Sequence, residues 1–368
     1  MKRALKQLER AWKRVVFRAL GALLPGRRAP QPPKWDDRPH RVLYLRYDRI
    51  GDMIMATPLI RAIARAHPTI HLDVLASRSN AVVLSANPHV RRVMIFDRKR
   101  LASFVRTARA LRRERYDAVI DGMVLQPSVT MLMLMLATGA RYRIGIGGRA
   151  NDFIYTLPVR AAPADAHQIL QSAATATPFG VDVRRTDWRP ELFIEADERA
   201  RAEEAWRAAG ARRPRILVNI AAGEARRRWP SSRVVAAIRA ALHVSPGSVV
   251  LVMAPPDELE EAGRIARDAG ARAIVPGLRD AFALVATADV VFTPDTSIAH
   301  AASAFTKPSV VMMIGGSAIF EPYETPGRFV YSPGPTLESL EAQPVIDALV
   351  PVVQAASGDR ARQASTPH

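Results

Sequence analysis

The stretch Thr293-Pro294-Asp295-Thr296-Ser297 closes an apolar run, Ala288 to Phe292, that reads as a buried parallel strand. Pro294 breaks the strand. Asp295, Thr296 and Ser297 are helix-capping residue types, and Ile298 to Phe305 then reads as a short helix. Lys307-Pro308 stops that helix, and Ser309 to Ile314 is the next strand. A polar turn between the carboxyl end of a strand and the amino end of a helix is where open α/β sheets bind ligands. Its free N–H groups favour an anion such as a diphosphate. His300 follows Thr296 by one helical turn and falls on the same side. An ordinary capped helix with a surface histidine uses the same residues.

Asp52 offers a second kind of chemistry. It stands where a first strand, Arg41 to Arg46, runs through Tyr47-Asp48-Arg49-Ile50-Gly51 into a helix at about Met53 to Ala66. It is either a cap or a general base for a substrate hydroxyl. A carboxylate at a helix start is a weak base, which suffices when the proton leaves late, as in attack on an oxocarbenium-like sugar carbon. Arg226-Arg227-Arg228 follows the strand Arg215 to Ile220 and suits a diphosphate leaving group, or is a solvated charge run. Gly223 just before it lets backbone approach phosphates. Asp257 and Glu258 open a helix after the strand Val249 to Met253, where they serve as caps or hold a ribose hydroxyl. There is no Gly-x-Gly-x-x-Gly opening a helix, no P-loop and no Asp-x-Asp, and the 8 histidines lack metal-ligand spacing. Metal-independent chemistry without a cofactor is the simpler reading.

Positioning these residues requires alternating strands and helices. In the first half the strands are Arg41–Arg46, Ile70–Ala76, Val90–Phe96 and Ala118–Asp121. A basic helix lies at about Leu101–Arg115 and a buried one at Val124–Thr138, while residues 141–190 carry no clear pattern. A charged helix, Asp197–Ala209, precedes a second α/β half that ends in a helix at about Leu337–Gln354. The expected fold is α/β, two Rossmann-like domains at 40–195 and 196–355 whose parallel sheets face a central cleft. Residues 356–368 read as a disordered tail.

A chain of 368 residues with 48% hydrophobic content accommodates two cores, and the absence of cysteine excludes disulfides and Cys-type zinc sites. No apolar run is long enough to span a bilayer. The net charge of +18 calls for anionic partners. Nucleic acid is the poorest of these, because no recognition module is present and aromatics make up only 6%. Residues 1–28 form a basic amphipathic pattern, with Leu5, Leu8, Trp12, Val15, Val16, Ala19 and Leu23 on one side and lysines and arginines on the other. Such a helix lies on an anionic membrane surface or docks on the protein's own core. A Pro-rich linker follows at 29–39.

Taken together, RYDRIGDMIMATPLIRAIARAHP (46–68), NPHVRRVMIFD (87–97), YDAVID (116–121), LVNIAAGEARRRWP (217–230) and PDTSIAHAASAFTKPSVVMM (294–313) resemble the ADP-heptose:lipopolysaccharide heptosyltransferases of glycosyltransferase family 9. The resemblance covers about Arg41 to Pro326. It implies a GT-B fold and an inverting, metal-independent transfer of a sugar, heptose from ADP-heptose above others, to a lipid-linked acceptor at the cytoplasmic face of the inner membrane. It implies that Asp52 is the catalytic base and that Asp295, Thr296 and His300 form the diphosphate- and sugar-binding turn. Arg227 stands where the family often has a phosphate-binding lysine, and Glu258 is similar to a ribose-binding acidic residue. Ser297 stands where many members have glycine and leaves less room near the sugar, so another nucleotide-sugar donor is one alternative. A non-catalytic nucleotide-sugar binder is another. The implied acceptor is an anionic glycolipid, whose phosphates Arg46, Arg49 and Arg61 would meet.

Overall fold

The structure is a computed structural model. It describes residues 31–364 except 99, 125–127, 211, 212 and 317, together with residues 15, 17, 19, 21, 28 and 29. The chain divides into two compact units, Met1–Trp188 and Arg189–His368.

The first unit carries β1 (Arg41–Leu45), α1 (Ile50–Ile54), α2 (Thr57–Ala66), β2 (His71–Ala76), β3 (Arg92–Ile95), α3 (Leu101–Arg113), β4 (Ala118–Asp121), α4 (Val129–Thr138), β5 (Tyr142–Ile146), β6 (Leu157–Val159) and α5 (Gln168–Ala173). The second carries α6 (Ala196–Ala209), β7 (Arg215–Asn219), α7 (Ser231–Val244), β8 (Val249–Met253), α8 (Leu259–Ala269), β9 (Arg272–Ile274), α9 (Leu278–Thr287), β10 (Val290–Pro294), α10 (Ser297–Ala304), β11 (Ser309–Ile314), β12 (Gly327–Ser332) and α11 (Ala342–Ala364).

Each unit has one six-stranded sheet, ordered β3-β2-β1-β4-β5-β6 and β12-β11-β10-β7-β8-β9. Among the described residues the strand pairs are all parallel. Counted from the first strand of each unit, both orders are the doubly wound 3-2-1-4-5-6, in which consecutive crossovers leave strand 1 in opposite directions. Ligands bind outside the carboxyl ends of the two strands at that reversal. The fold therefore marks two places: the ends of β1 and β4, and the ends of β7 and β10.

Strands covered on both faces must be apolar throughout, which is why β8 (VVLVM) and β11 (SVVMMI) are buried at every position. The second core gathers Trp229, Phe292, Val250 and Ile238, among others. In the same unit, fully buried Trp206 of α6 donates from Nε1 to Thr287 Oγ1 on α9 at 3.0 Å. In the first unit, Leu43, Leu45 and Val119 of the sheet pack with Leu111 of α3 and Met131, Leu132 and Met135 of α4. Met131 and Met135 of α4 are core filler, as their adaptable thioethers suit, whereas Met133 is exposed.

Several local details depart from the sequence pattern. The single helix expected after β1 is two, α1 and α2, because Pro58 near the start of α2 has no N–H to continue the first. The unpatterned region 141–190 holds β5, β6 and α5. β6 is only three residues long and contains Pro158, which a sheet edge tolerates. The Pro-rich stretch at 29–39 lies against the first unit. Trp35 is buried, stacks on Phe179 at 4.4 Å, and donates from Nε1 to Pro178 O at 2.8 Å.

Most of the amphipathic segment 1–28 lies outside the described residues. Residues 15, 17, 19 and 21 are helical. Phe17 is 3% exposed and joins the first core, whereas Val15 is 66% exposed. A Cβ on Gly21 would stand 3.3 Å from the Phe153 ring. This end of the segment thus docks on the protein through Phe17, with the Val15 side outward.

Candidate functional site

At the first reversal, β1 ends at Leu45 and delivers Arg46, Tyr47 and Asp48 to the sheet edge. α1 begins at Ile50, so Asp52 falls inside its first turn; the residue at the cap is Arg49, whose side chain makes no capping bond. Asp52 Oδ1 instead lies 3.0 Å from Nη2 of Arg46. Arg46 is 3% exposed, and its Nε donates to Asp48 Oδ1 at 2.9 Å while Nη1 donates to Gly122 O. One planar fork therefore holds two carboxylates and a carbonyl. Gly122 is required there, since a Cβ would meet Leu45 O at 2.6 Å.

The electrostatics follow from burial. Desolvation opposes the Arg46 charge, and Asp48, Tyr44 and Asp52 outweigh it, so the guanidinium is held as a cation. Desolvation pushes the Asp48 carboxyl up to about 6, with Arg46 pulling it down and Asp52 pushing it up. Behind the fork, Asp121 at the end of β4 accepts from Tyr155 Oη at 2.6 Å and from Met123 N at 2.9 Å. Its carboxyl is raised, chiefly by burial. Gly145 makes room for Tyr155, whose ring atoms lie 2.2 Å from where a Cβ would stand.

The three arginines named for acceptor contact differ. Arg49 is exposed. Arg61 is 8% exposed and donates to Asp187 O at 2.6 Å. Arg46 is committed to Asp48, Asp52 and Gly122, so its geometry suits holding carboxylates rather than reaching an acceptor phosphate.

At the second reversal, Thr296 caps α10 by accepting from Ile298 N at 3.3 Å, and Ser297 is the first helical residue. Arg227 ends a short 3-10 turn after β7, and Nη1 lies 3.0 Å from Asp295 Oδ2 and donates to Asp295 O at 2.8 Å. His300 is buried. Glu258 is 8% exposed and its side chain does not cap α8; it pairs with Arg228. Burial raises the Glu258 carboxyl, Arg228 lowers it, and Asp257 and Glu261 raise it further. A Cβ on Gly223 would meet nothing within 4 Å, so packing within the protein does not demand glycine there. In the second unit the structure thus brings together Arg227 with Asp295 and Arg228 with Glu258. It places Thr296 and Ser297 at the start of α10.

Two contributors lie outside the residues expected from the sequence. Asn219, at the last position of β7, donates from Nδ2 to Thr293 Oγ1 at 2.9 Å and to Thr296 Oγ1 at 3.2 Å, tying the two reversal strands. Asp48 is the other, and its signal in the sequence is a second carboxylate four residues before Asp52. Among the described residues no group of three or more His, Cys, Asp or Glu is placed to hold a metal ion.

Solved structures with this architecture define the class. A family 9 glycosyl transferase from Veillonella parvula aligns with a TM-score of 0.76, at 17% identity, over 88% of this chain and 99% of that one. Escherichia coli heptosyltransferase WaaC with ADP aligns with a TM-score of 0.69, at 20% identity, over 85% and 99%. Such likeness speaks for the fold, two Rossmann-like domains of the GT-B type. Residues 104–313, over half of the chain, match glycosyltransferase family 9 (heptosyltransferase). The chain belongs to that family and is a glycosyltransferase. It is also 24% identical over 295 residues to lipopolysaccharide heptosyltransferase 3 of Escherichia coli, covering 73% of this chain and 82% of that relative.

Proposed function

We propose that this glycosyltransferase moves a sugar, heptose from ADP-heptose above others, onto lipopolysaccharide or a related anionic glycolipid, with inversion and without a metal ion. The observation that carries the reading is that both switch points of a family 9 chain hold the charges such a transfer needs. A carboxylate, Asp52, sits at the first, and an arginine-lined polar turn, Arg227 with Asp295 and Thr296, at the second. The relatives support the donor and acceptor classes, one being a lipopolysaccharide heptosyltransferase and another a heptosyltransferase bound to ADP.

In this mechanism the acceptor hydroxyl oxygen attacks the anomeric carbon as Asp52 takes its proton. The bond to the diphosphate oxygen breaks, and the electron pair leaves with the nucleotide. Arg227 and the N–H groups at the start of α10 neutralise the charge that develops there. Glu258 takes the ribose hydroxyls, Gly223 admits the phosphates, and His300 and Ser297 bound the sugar. Acceptor phosphates meet Arg49 and Arg61 in this reading. Arginines supply the positive charge, so a chelator leaves activity unchanged; a loss restored by magnesium overturns that part.

The enzyme works at the cytoplasmic face of the inner membrane, held there by residues 1–28. Support comes from the outward Val15 side and from α3, where Leu101 is 80% and Val105 40% exposed beside Arg106, Arg109 and Arg113. Apolar side chains among cations suit an anionic lipid surface. No helix among the described residues is long and apolar enough to cross a membrane.

Thermal-shift binding to ADP, UDP, GDP and dTDP and their sugar conjugates tests the donor, because a ligand of the folded state raises the melting temperature. Selective stabilisation by ADP and ADP-heptose supports the reading. Stabilisation by another nucleotide sugar keeps the mechanism and replaces the donor, the reading that a side chain at Ser297 favours.

A further inference from the structure

We propose that Asp48 is a positioning residue of the transfer reaction: while ionised it shares the Arg46 guanidinium with Asp52, and so leaves Asp52 the negative charge with which to take the acceptor proton. The inference rests on the reading of Asp52 as the base.

The geometry is that of one cation between two anions. Nε of Arg46 donates to Asp48 Oδ1 at 2.9 Å, and Nη2 stands 3.0 Å from Asp52 Oδ1. Arg46 is nearly sealed from water, so its charge is felt at close range by whatever it faces. A single carboxylate against such a cation forms a neutral pair with little tendency to accept a proton. Two carboxylates on the same cation leave the trio with one net negative charge. A proton from the acceptor then makes the trio neutral rather than positive.

The surroundings hold Asp48 in that role. Asn80 Nδ2 donates to Arg46 O at 3.2 Å and Asn80 Oδ1 accepts from Ser77 N at 2.8 Å, fixing the end of β1 to the end of β2. The charged and titratable groups facing Asp48 are Arg46, Tyr44 and Tyr47 from its own strand end and Asp52 from α1; Asp121 lies behind Arg46 at the end of β4. Arg46, the cation of this group, bonds to Asp48 side chain to side chain. Burial and Asp52 together push the Asp48 carboxyl up to about 6, within the range where a cell enzyme works. Below that pH Asp48 is protonated and releases its share of Arg46, which then neutralises Asp52. Asp48 thereby gates the base without touching the acceptor.

The test compares the wild type, Asp48→Asn and Asp48→Glu as full chains. Aspartate-selective carboxyl 13C NMR of the wild type should show one carboxyl titrating near pH 6 that is missing from Asp48→Asn. ADP release from ADP-heptose with lipopolysaccharide as acceptor should show a kcat that falls below pH 6. In Asp48→Asn, which mimics permanently protonated Asp48, kcat should be about tenfold lower above pH 6 and that limb should vanish, with donor KM unchanged. Asp48→Glu should restore part of kcat together with the limb. A uniform loss in Asp48→Asn that keeps the limb means a merely structural role and overturns the proposal, as does an unchanged profile. Asp48→Ser serves the same comparison if the Asn variant folds poorly. Asp52→Asn in the same assay separates the two readings. Turnover by that variant removes Asp52 as the base, whereas an inert Asp52→Asn beside a wild-type-like Asp48→Asn removes only the role of Asp48.

Discussion

Arg227 and Asp295, 68 positions apart, are joined twice: Nη1 donates to the Asp295 carbonyl oxygen at 2.8 Å and lies 3.0 Å from its carboxylate. The backbone oxygen and the side chain of the turn are thereby gripped by one guanidinium. Lysine keeps the charge but offers a compact donor in place of a planar fork. Arg227→Lys should weaken ADP binding about tenfold, or ~1.4 kcal/mol, by titration calorimetry with little change in melting temperature. Arg227→Ala should also destabilise the fold, because it leaves a buried carboxylate without this partner. Wild-type ADP affinity in both variants removes Arg227 from the donor site.

Asp52→Asn should lower turnover by about 10²–10⁴-fold, the usual contribution of general-base catalysis, while leaving ADP-heptose affinity near normal. Turnover and equilibrium binding measured on the same preparation check this. A turnover within threefold of wild type would show that Asp52 is not the base.

Asn219→Ala removes the bonds to Thr293 and Thr296 and leaves one buried and one half-buried hydroxyl to find new partners. The expected cost is about 1–3 kcal/mol by denaturant titration, with weakened ADP binding because Thr296 caps α10. A stability loss without any change in ADP affinity would confine Asn219 to the core.

Asp48 also has a signature in stability. Its folded-state carboxyl is raised from 3.8 to about 6, so the fold prefers it protonated. That contribution is fully present below pH 3.8 and is lost as pH rises through 6. Asp48→Asn should therefore gain melting temperature over the wild type as pH rises from about 4 to 7, then hold a constant gain. A gain that is flat across this window, or a loss at neutral pH, contradicts the raised value.

Phe17 and Val15 separate docking from membrane contact. Phe17→Ala should cost about 3–5 kcal/mol, since it empties a buried aromatic site. Val15→Asp should leave the melting temperature unchanged and reduce co-sedimentation with anionic liposomes. Undiminished liposome binding would place the contact elsewhere.

Much of the fold was legible because its signals are local. The sequence pattern matches β4, β8 and β11 at their observed bounds, and β2 and α3 within two residues, because apolar runs and stop signals lie beside the residues they govern. The turn after β10 is legible from Thr296, whose cap bond spans only two residues, but Pro294 does not break the strand as expected: β10 runs through it and ends there. β5, β6 and α5 leave no clear pattern in the sequence because short strands near a sheet edge need no long apolar run, and one contains proline.

The amino-acid sequence by itself determined the alternation of strands and helices, the polar turn at 295–297 and the carboxylate at 52, because period, capping and residue type act within one or two turns of chain. Tertiary structure decided the strand order that places those residues at two reversal points. It also decided that Arg46 serves Asp48 and Asp52, that Arg228 meets Glu258, and that Asn219 ties Thr293 to Thr296. Side chains on different strands and turns meet only when the sheet brings them together, and even neighbours such as Arg46 and Asp48 reveal their pairing only once burial excludes water and fixes their direction.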